Sequence, residues 1–254
     1  MMKIISAYLW AFKNFESGIK SLKSVRQFYP DADLFINVDY EGDFINYRQR
    51  GLELEAHISR NNFQLGYCGN FGNVNVGRDC WDKEATFEWF RGFYEACKKT
   101  NSKYIILLEE DDFVLKPLSI CEFEFSCAIH PTDPSPTGRY RKNFINEQFY
   151  NYSRDFGGTT ECPGYASGGG TVINREEFIL AWDKCKNYLF EHYDKMVEIN
   201  KIIGWIDFSL QYVMMLGGYK IIQNPYLCEH WEVPVGWEDF EIITGLKDHN
   251  LISI

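Results

Sequence analysis

Tyr104-Ile105-Ile106-Leu107-Leu108, followed at once by Glu109-Glu110-Asp111-Asp112, is the stretch that decides the fold. Its five apolar residues suffice for a strand and are too uniformly apolar for one with a wet face, so they read as buried on both sides. Strands of that kind belong to parallel sheets covered by helices, which bind ligands outside the carboxyl ends of their strands. Packing gives no reason to place four carboxylates there, where they repel one another and each is costly to desolvate. A hard divalent cation offsets that repulsion, because it takes oxygen ligands and recruits phosphate oxygens beside one or two carboxylates. A solvated acidic turn ahead of Pro117 is the plainer alternative.

Outward from this stretch, the chain alternates strand and helix patterns. Upstream, Lys3–Leu9 reads as a strand. A stripe of Phe15, Ile19, Leu22, Val25, Phe28 and Tyr29 predicts a helix stopped by Pro30. A second strand, Asp33–Val38, ends at Asp39; Arg48–Ile58 reads as helical and Asn62–Tyr67 as a third strand. Phe87, Phe90, Phe93, Tyr94 and Cys97 mark a helix over Lys83–Lys99. This alternation implies a mostly parallel sheet with helices on both faces. Downstream, Pro131, Pro134, Pro136 and Pro163, with Gly138, Gly157, Gly158 and Gly164, predict long irregular segments over residues 130–166. The run Gly168-Gly169-Gly170 then feeds a short strand, and helices follow over Arg175–Tyr193 and Trp205–Leu216. The latter closes at Gly217-Gly218, and Tyr219–Gln223 reads as a last strand. With no repeat and no low-complexity linker, residues 1–254 are expected to form a single domain in two halves, divided near residue 120.

Composition bounds the function. With 45% apolar and 17% aromatic residues the chain has the material for a core and for stacking surfaces, which excludes a disordered tail. A net charge of −10 argues against a nucleic-acid partner, which calls for a basic face, although a nucleotide's phosphates can be met by metal and backbone amides. The eight cysteines include no C-x-x-C pair, so structural zinc is not expected and reduced, buried thiols are. Met1–Leu9 is too short and polar-flanked for a signal or anchor, and no window approaches the roughly 18 apolar residues of a membrane span. The expectation is a soluble, cytoplasmic protein.

Taken together, these positions resemble the GT-A class of nucleotide-sugar-dependent glycosyltransferases. The resemblance covers most of the chain as an order of elements, with residues matching in four short places. It implies a GT-A-like, Rossmann-type αβα sandwich with a mostly parallel central sheet. It also implies a nucleotide-sugar half (about 1–120), an acceptor and catalytic half (about 121–254), a UDP- or GDP-linked donor, a carbohydrate or glycoconjugate acceptor, and Mn2+ or Mg2+. By that likeness Ala7 and Tyr8 on the first strand and Asp39 after the second bind the nucleotide. Leu108–Pro117 looks like the D-x-D metal motif in an E-D-D form. Asp112 would hold the metal, Glu110 and Asp111 would face ribose and sugar, and Glu109 is unassigned. Gly168, Gly169 and Gly170 would let backbone approach a sugar closely, although a tight hairpin explains the run as well. In Ile203–Gln211, Asp207 would be the general base, with Trp205 beside the sugar. Here the chain departs from the pattern: Gly204-Trp205 precede a single acid where many relatives carry a pair, and a helix N-cap is the plainer role for Asp207. His230 would complete the metal shell, with Glu229 and Glu232 as substitutes. Arg78 would meet a phosphate and Asp79 a sugar hydroxyl, and Trp81, Trp205, Trp231 and Trp237 would offer carbohydrate-stacking surface.

The expected activity is metal-dependent, inverting transfer of a sugar from a nucleoside diphosphate to a hydroxyl. Two alternatives are a sugar-phosphate nucleotidyltransferase and a non-catalytic carbohydrate-binding protein of the same fold. The first is weakened by Ala7–Phe12, which lacks the glycine of a phosphate loop.

Overall fold

The computed structural model describes residues 3–40, 42–61, 83–119, 126–129, 147–161, 169–199, 206–223, 227–229 and 241–244. The first half alternates as expected: β1 (Ile5–Ala11), α1 (Phe15–Phe28), β2 (Leu34–Val38), α2 (Phe44–Glu53), β3 (His57–Arg60), α3 (Lys83–Lys99) and β4 (Tyr104–Leu108). The second half adds β5 (Phe113–Val114), β6 (Cys127–Ile129), α4 (Glu147–Phe156), β7 (Val172–Asn174), α5 (Arg175–Ile199), α6 (Ile206–Gly217), β8 (Ile221–Gln223), β9 (Leu227–Glu229) and β10 (Ile242–Thr244).

Strands from both halves join one seven-stranded sheet in the order β3-β2-β1-β4-β7-β6-β8. The first four are parallel. β7 runs antiparallel to both β4 and β6, and β8 runs parallel to β6, so β7 alone opposes the rest. The strand's two-residue period sorts the core into two faces. Ala7, Leu9, Ile36, Ile106 and Leu108 pack on one side with Ile19, Leu22 and Val25 of α1 and Tyr47 of α2. Tyr8, Phe35, Ile105 and Leu107 pack on the other with Trp89, Phe90 and Phe93 of α3, Phe178 and Trp182 of α5, and Val213 of α6. This is the αβα sandwich implied above, and every residue of β4 is buried.

Two expectations for the elements need correction. The helix expected over Arg48–Ile58 is Phe44–Glu53, and His57 and Ile58 belong instead to a strand, His57–Arg60; the strand expected over Asn62–Tyr67 lies outside the described residues. Glu55 takes a positive φ of 55° and turns the chain between them. As an edge strand with three exposed residues of four, β3 carries no apolar run to announce it. The segment expected to be irregular contains α4, whose ten residues lie clear of the prolines and whose Phe149 is buried. The end of α6 is as predicted: Gly218 adopts φ +86°, and its N–H and that of Tyr219 donate to Met215 O and Met214 O.

Candidate active site at the carboxyl mouth of the sheet

The four acids form the turn that leaves β4, and their carboxylates have different surroundings. The Asp112 N–H donates to Glu109 O at 3.3 Å, and in return Asp112 Oδ2 accepts the Glu109 N–H at 2.5 Å. Asp112 is thereby folded over its own turn and is 1% exposed, whereas Glu109, Glu110 and Asp111 keep part of their surface open. Against Asp112 lies Gly169. A Cβ built there would fall 2.7 Å from both Asp112 Cγ and Oδ1 and nearer still to Oδ2, so the carboxylate fills the space a side chain would take. Gly170, at φ +78°, donates its N–H to Leu107 O at 2.8 Å, and Leu107 N–H donates to Thr171 O at 2.8 Å. The glycine turn is thus stitched to the last residues of β4. The tertiary structure brings together the glycine run and the acidic turn, two features the sequence holds nearly sixty positions apart.

Glu110 faces away from that contact. Its Oε1 accepts the Phe12 N–H at 2.6 Å and the Tyr47 hydroxyl at 2.6 Å, and its Oε2 accepts the Asn14 N–H at 3.0 Å. Phe12 O in turn accepts the Asp43 N–H at 2.6 Å, and Asp43 caps α2 through the Asn46 N–H and side-chain amide. The residue expected at the ribose is therefore engaged by the turn between β1 and α1. Burial, reinforced by the Glu110 charge, pushes the Tyr47 hydroxyl far above its ordinary pKa, so it stays a donor. Nothing in the sequence pairs Tyr47 with Glu110; only the fold does.

The other expected nucleotide positions lie as follows. Ala7 and Tyr8 sit in mid-strand, almost fully buried, several residues short of the end of β1 at Ala11. Tyr8 packs edge-on to Trp89 and Phe93 at 5.8 and 5.0 Å. Burial drives its pKa up, against a lowering by the Asn37 amide, and among the described residues its hydroxyl has no hydrogen-bond partner of good geometry. These two side chains serve the core, and the strand end that faces the mouth is Ala11–Phe12. Asp39 does stand at the end of β2, 3% exposed, its Oδ1 accepting the Tyr40 N–H at 2.5 Å. Beside it Tyr40 is half exposed, with the Arg60 guanidinium 5.3 Å from its ring.

The second sheet, β5-β10-β9, continues directly from the acidic turn. β10 pairs Ile243 with Phe113 of β5 and with Cys228 of β9, and Thr244 with Glu229. Continued by one residue, the register sets Thr244 opposite Asp112, so the backbone at Glu229 is level with Asp112, two strands or about 10 Å away. His230 follows Glu229 but lies outside the described residues, as do Arg78, Asp79, Gly168, Trp205 and the other tryptophans expected to stack. Asp207 falls in the first turn of α6. Among the described residues no three His, Cys, Asp or Glu side chains converge as a metal cage. The donor set nonetheless suits a hard cation, since one turn supplies carboxylate oxygens only, and the absence of a side chain at Gly169 is what lets the Asp112 carboxylate lie there.

A groove of about 290 Å3 runs between α3 and the β2–β3 edge, with Arg60 and Asn61 at the carboxyl end of β3 in its lining. Its polar wall is the chain Ser59 Oγ to Asn37 Oδ1 and Asn37 Nδ2 to Asn61 Oδ1, at 3.1 and 2.9 Å. No acid of the turn lines it. Cys97, Cys127 and Cys185 are buried cysteines, and burial pushes the Cys185 thiol up to about 12. No helix among the described residues is long and apolar enough to cross a membrane.

A mostly parallel sheet thus lies between two helical layers, with the acidic turn and the glycine turn together at the carboxyl end of a central strand. No family model matches the chain, and no curated protein sequence does. Solved structures resemble it. The galactosyltransferase LgtC, in complex with donor and acceptor sugar analogues, is 13% identical with a TM-score of 0.48, over 93% of this chain and 86% of LgtC. The apo form of the glycosyltransferase GlyE of Streptococcus pneumoniae TIGR4 is 11% identical with a TM-score of 0.45, over 88% of this chain and 46% of GlyE, so this chain spans under half of that protein. Glucosyl-3-phosphoglycerate synthase of Mycobacterium tuberculosis, with Mn2+, UDP-glucose and glycerol 3-phosphate, is 14% identical with a TM-score of 0.37, over 70% and 58%. At these identities the likeness is one of strand and helix arrangement.

Proposed function

We propose that this chain is a metal-dependent glycosyltransferase that moves a sugar from a nucleoside diphosphate to a hydroxyl of a glycan or other acceptor at the carboxyl mouth of the sheet. The observation that carries it is the contact of Gly169 with Asp112: a buried carboxylate, held by its own turn, against backbone with no side chain. Such a shelf suits a ligand that must lie close to the chain and bring a cation with it. Asp112 would hold Mn2+ or Mg2+, with Glu109 and Asp111 on the same turn as further oxygen ligands or donor contacts and His230 as a further ligand. The cation's contribution is to offset charge that builds on the departing diphosphate. Asp39 and Tyr40 meet the nucleoside, Arg78 and Asp79 the phosphate and sugar, and Gly168–Gly170 with Trp205 the sugar. Asp207 takes the proton from the acceptor hydroxyl as its oxygen attacks in line, which inverts the anomeric carbon.

A nucleotidyltransferase is disfavoured by a specific observation. The amides of Phe12 and Asn14, which a phosphate loop after the first strand would direct at its ligand, are taken by Glu110. The test is a thermal-shift panel of nucleoside diphosphates and nucleotide sugars with and without Mn2+, since a ligand of the native state stabilises it by RT ln(1 + [L]/Kd). A diphosphate is expected to raise Tm only with metal present. No stabilisation by any diphosphate plus metal would sink the proposal.

A further inference from the structure

We infer that Glu110 is a positioning residue: it fixes the turn between β1 and α1 at the mouth instead of contacting the donor. Three donors from two parts of the chain converge on its carboxylate, namely the Phe12 N–H, the Asn14 N–H and the Tyr47 hydroxyl. The charge is met by two amides just ahead of α1, near the end of a helix that favours an anion. Asn14 is the N-cap of that helix, and Glu110 brings an anion to its N–H from the turn that follows β4. Tyr47 is fixed from behind, because Gly18 of α1 lies so close that a Cβ there would overlap the Tyr47 hydroxyl. The peptide at Phe12 is held at both ends, its N–H by Glu110 and its carbonyl by the Asp43 N–H. Through these bonds the acidic turn, the end of β1 and the start of α2 form one rigid wall of the mouth, with Lys13 exposed between the two pinned amides.

This assignment rests on the glycosyl-transfer proposal above only for what the wall holds; the clamp itself is a statement about this chain's amides. The deciding experiment compares wild type with Glu110→Gln. In the variant one side-chain oxygen is replaced by an NH2 that repels the donors it faces. Amide hydrogen exchange at Phe12 and Asn14 is expected to rise about tenfold or more, the size of one lost charge-assisted bond. The Kd for Mn2+ with UDP or GDP is expected to rise by about tenfold as well, while the Kd for Mn2+ alone stays as in wild type. A parallel loss of affinity for Mn2+ alone would make Glu110 a metal ligand and overturn the assignment. So would unchanged protection of the two amides. Should Glu110→Gln fail to fold, Tyr47→Phe removes one of the three donors while keeping the ring, and the same two amides report on it. If wild type binds neither diphosphate with Mn2+, the transfer proposal falls, and amide exchange alone decides the clamp.

Discussion

Gly169 and Asp112 stand so close that one added carbon on the glycine would overlap the carboxylate. Alanine at 169 must therefore push Asp112 out of its turn or strain the turn that Gly170 pins to Leu107. Gly169→Ala is expected to cost about 1–3 kcal/mol of stability, the range for overpacking a filled site, and to abolish stabilisation by Mn2+. In an Asp112→Ala background the same change should cost far less. Urea denaturation of the four proteins of this cycle measures the coupling directly, and additive costs would show that the two residues act independently.

The proposed base gives a kinetic expectation. Asp207→Asn should lower kcat by about 10²–10⁴ and leave KM and donor affinity little changed, because a general base acts on the transition state and not on binding. Steady-state kinetics with donor varied at saturating acceptor checks this, and a variant with wild-type kcat would place the base elsewhere.

Asp33 contributes a pH dependence to stability. Burial works to raise its pKa, but the Lys3 ammonium at 2.5 Å and the Thr100 hydroxyl at 2.7 Å outweigh it, so the carboxyl lies below its ordinary value. A group whose folded pKa is lowered stabilises fully above the unfolded value and loses that stabilisation as pH falls through the folded one. Tm of wild type should therefore drop more steeply than that of Asp33→Asn between roughly pH 4 and pH 2. Parallel Tm curves for the two proteins over that range would contradict this.

Trp89 anchors the α3 face of the sheet. It is fully buried, stacks on Phe93 at 5.4 Å and meets Tyr8 and Trp10 edge-on. Trp89→Ala should cost about 3–5 kcal/mol, as read from chemical denaturation. Trp89→Phe should cost much less than the alanine change, since the indole N–H has no hydrogen-bond partner among the described residues to lose.

How far the site could be foreseen depended on the physics each residue obeys. The strand Tyr104–Leu108 and the acids after it were legible, because burial on both faces demands continuous apolar character and charge marks where burial stops. The stripe of α3 was legible for the same reason, one face against the sheet. β3 was not, since an edge strand with one side in water imposes no apolar run. The division among the four acids was equally hidden. Their order predicted a shared role at the donor, whereas Glu110 is engaged by Phe12, Asn14 and Tyr47. Likewise Ala7 and Tyr8 looked like strand-end residues, and β1 runs on to Ala11.

By itself, then, the chain determined its alternating elements and the place where carboxylates gather, because hydrophobic periodicity and like-charge repulsion are local properties. Which carboxylate lies against Gly169, and which one anchors the first turn, was decided only by the tertiary structure. Parallel strands bring β1 beside β4, and antiparallel β7 brings the glycine turn to Leu107, across sequence distances that no local pattern spans.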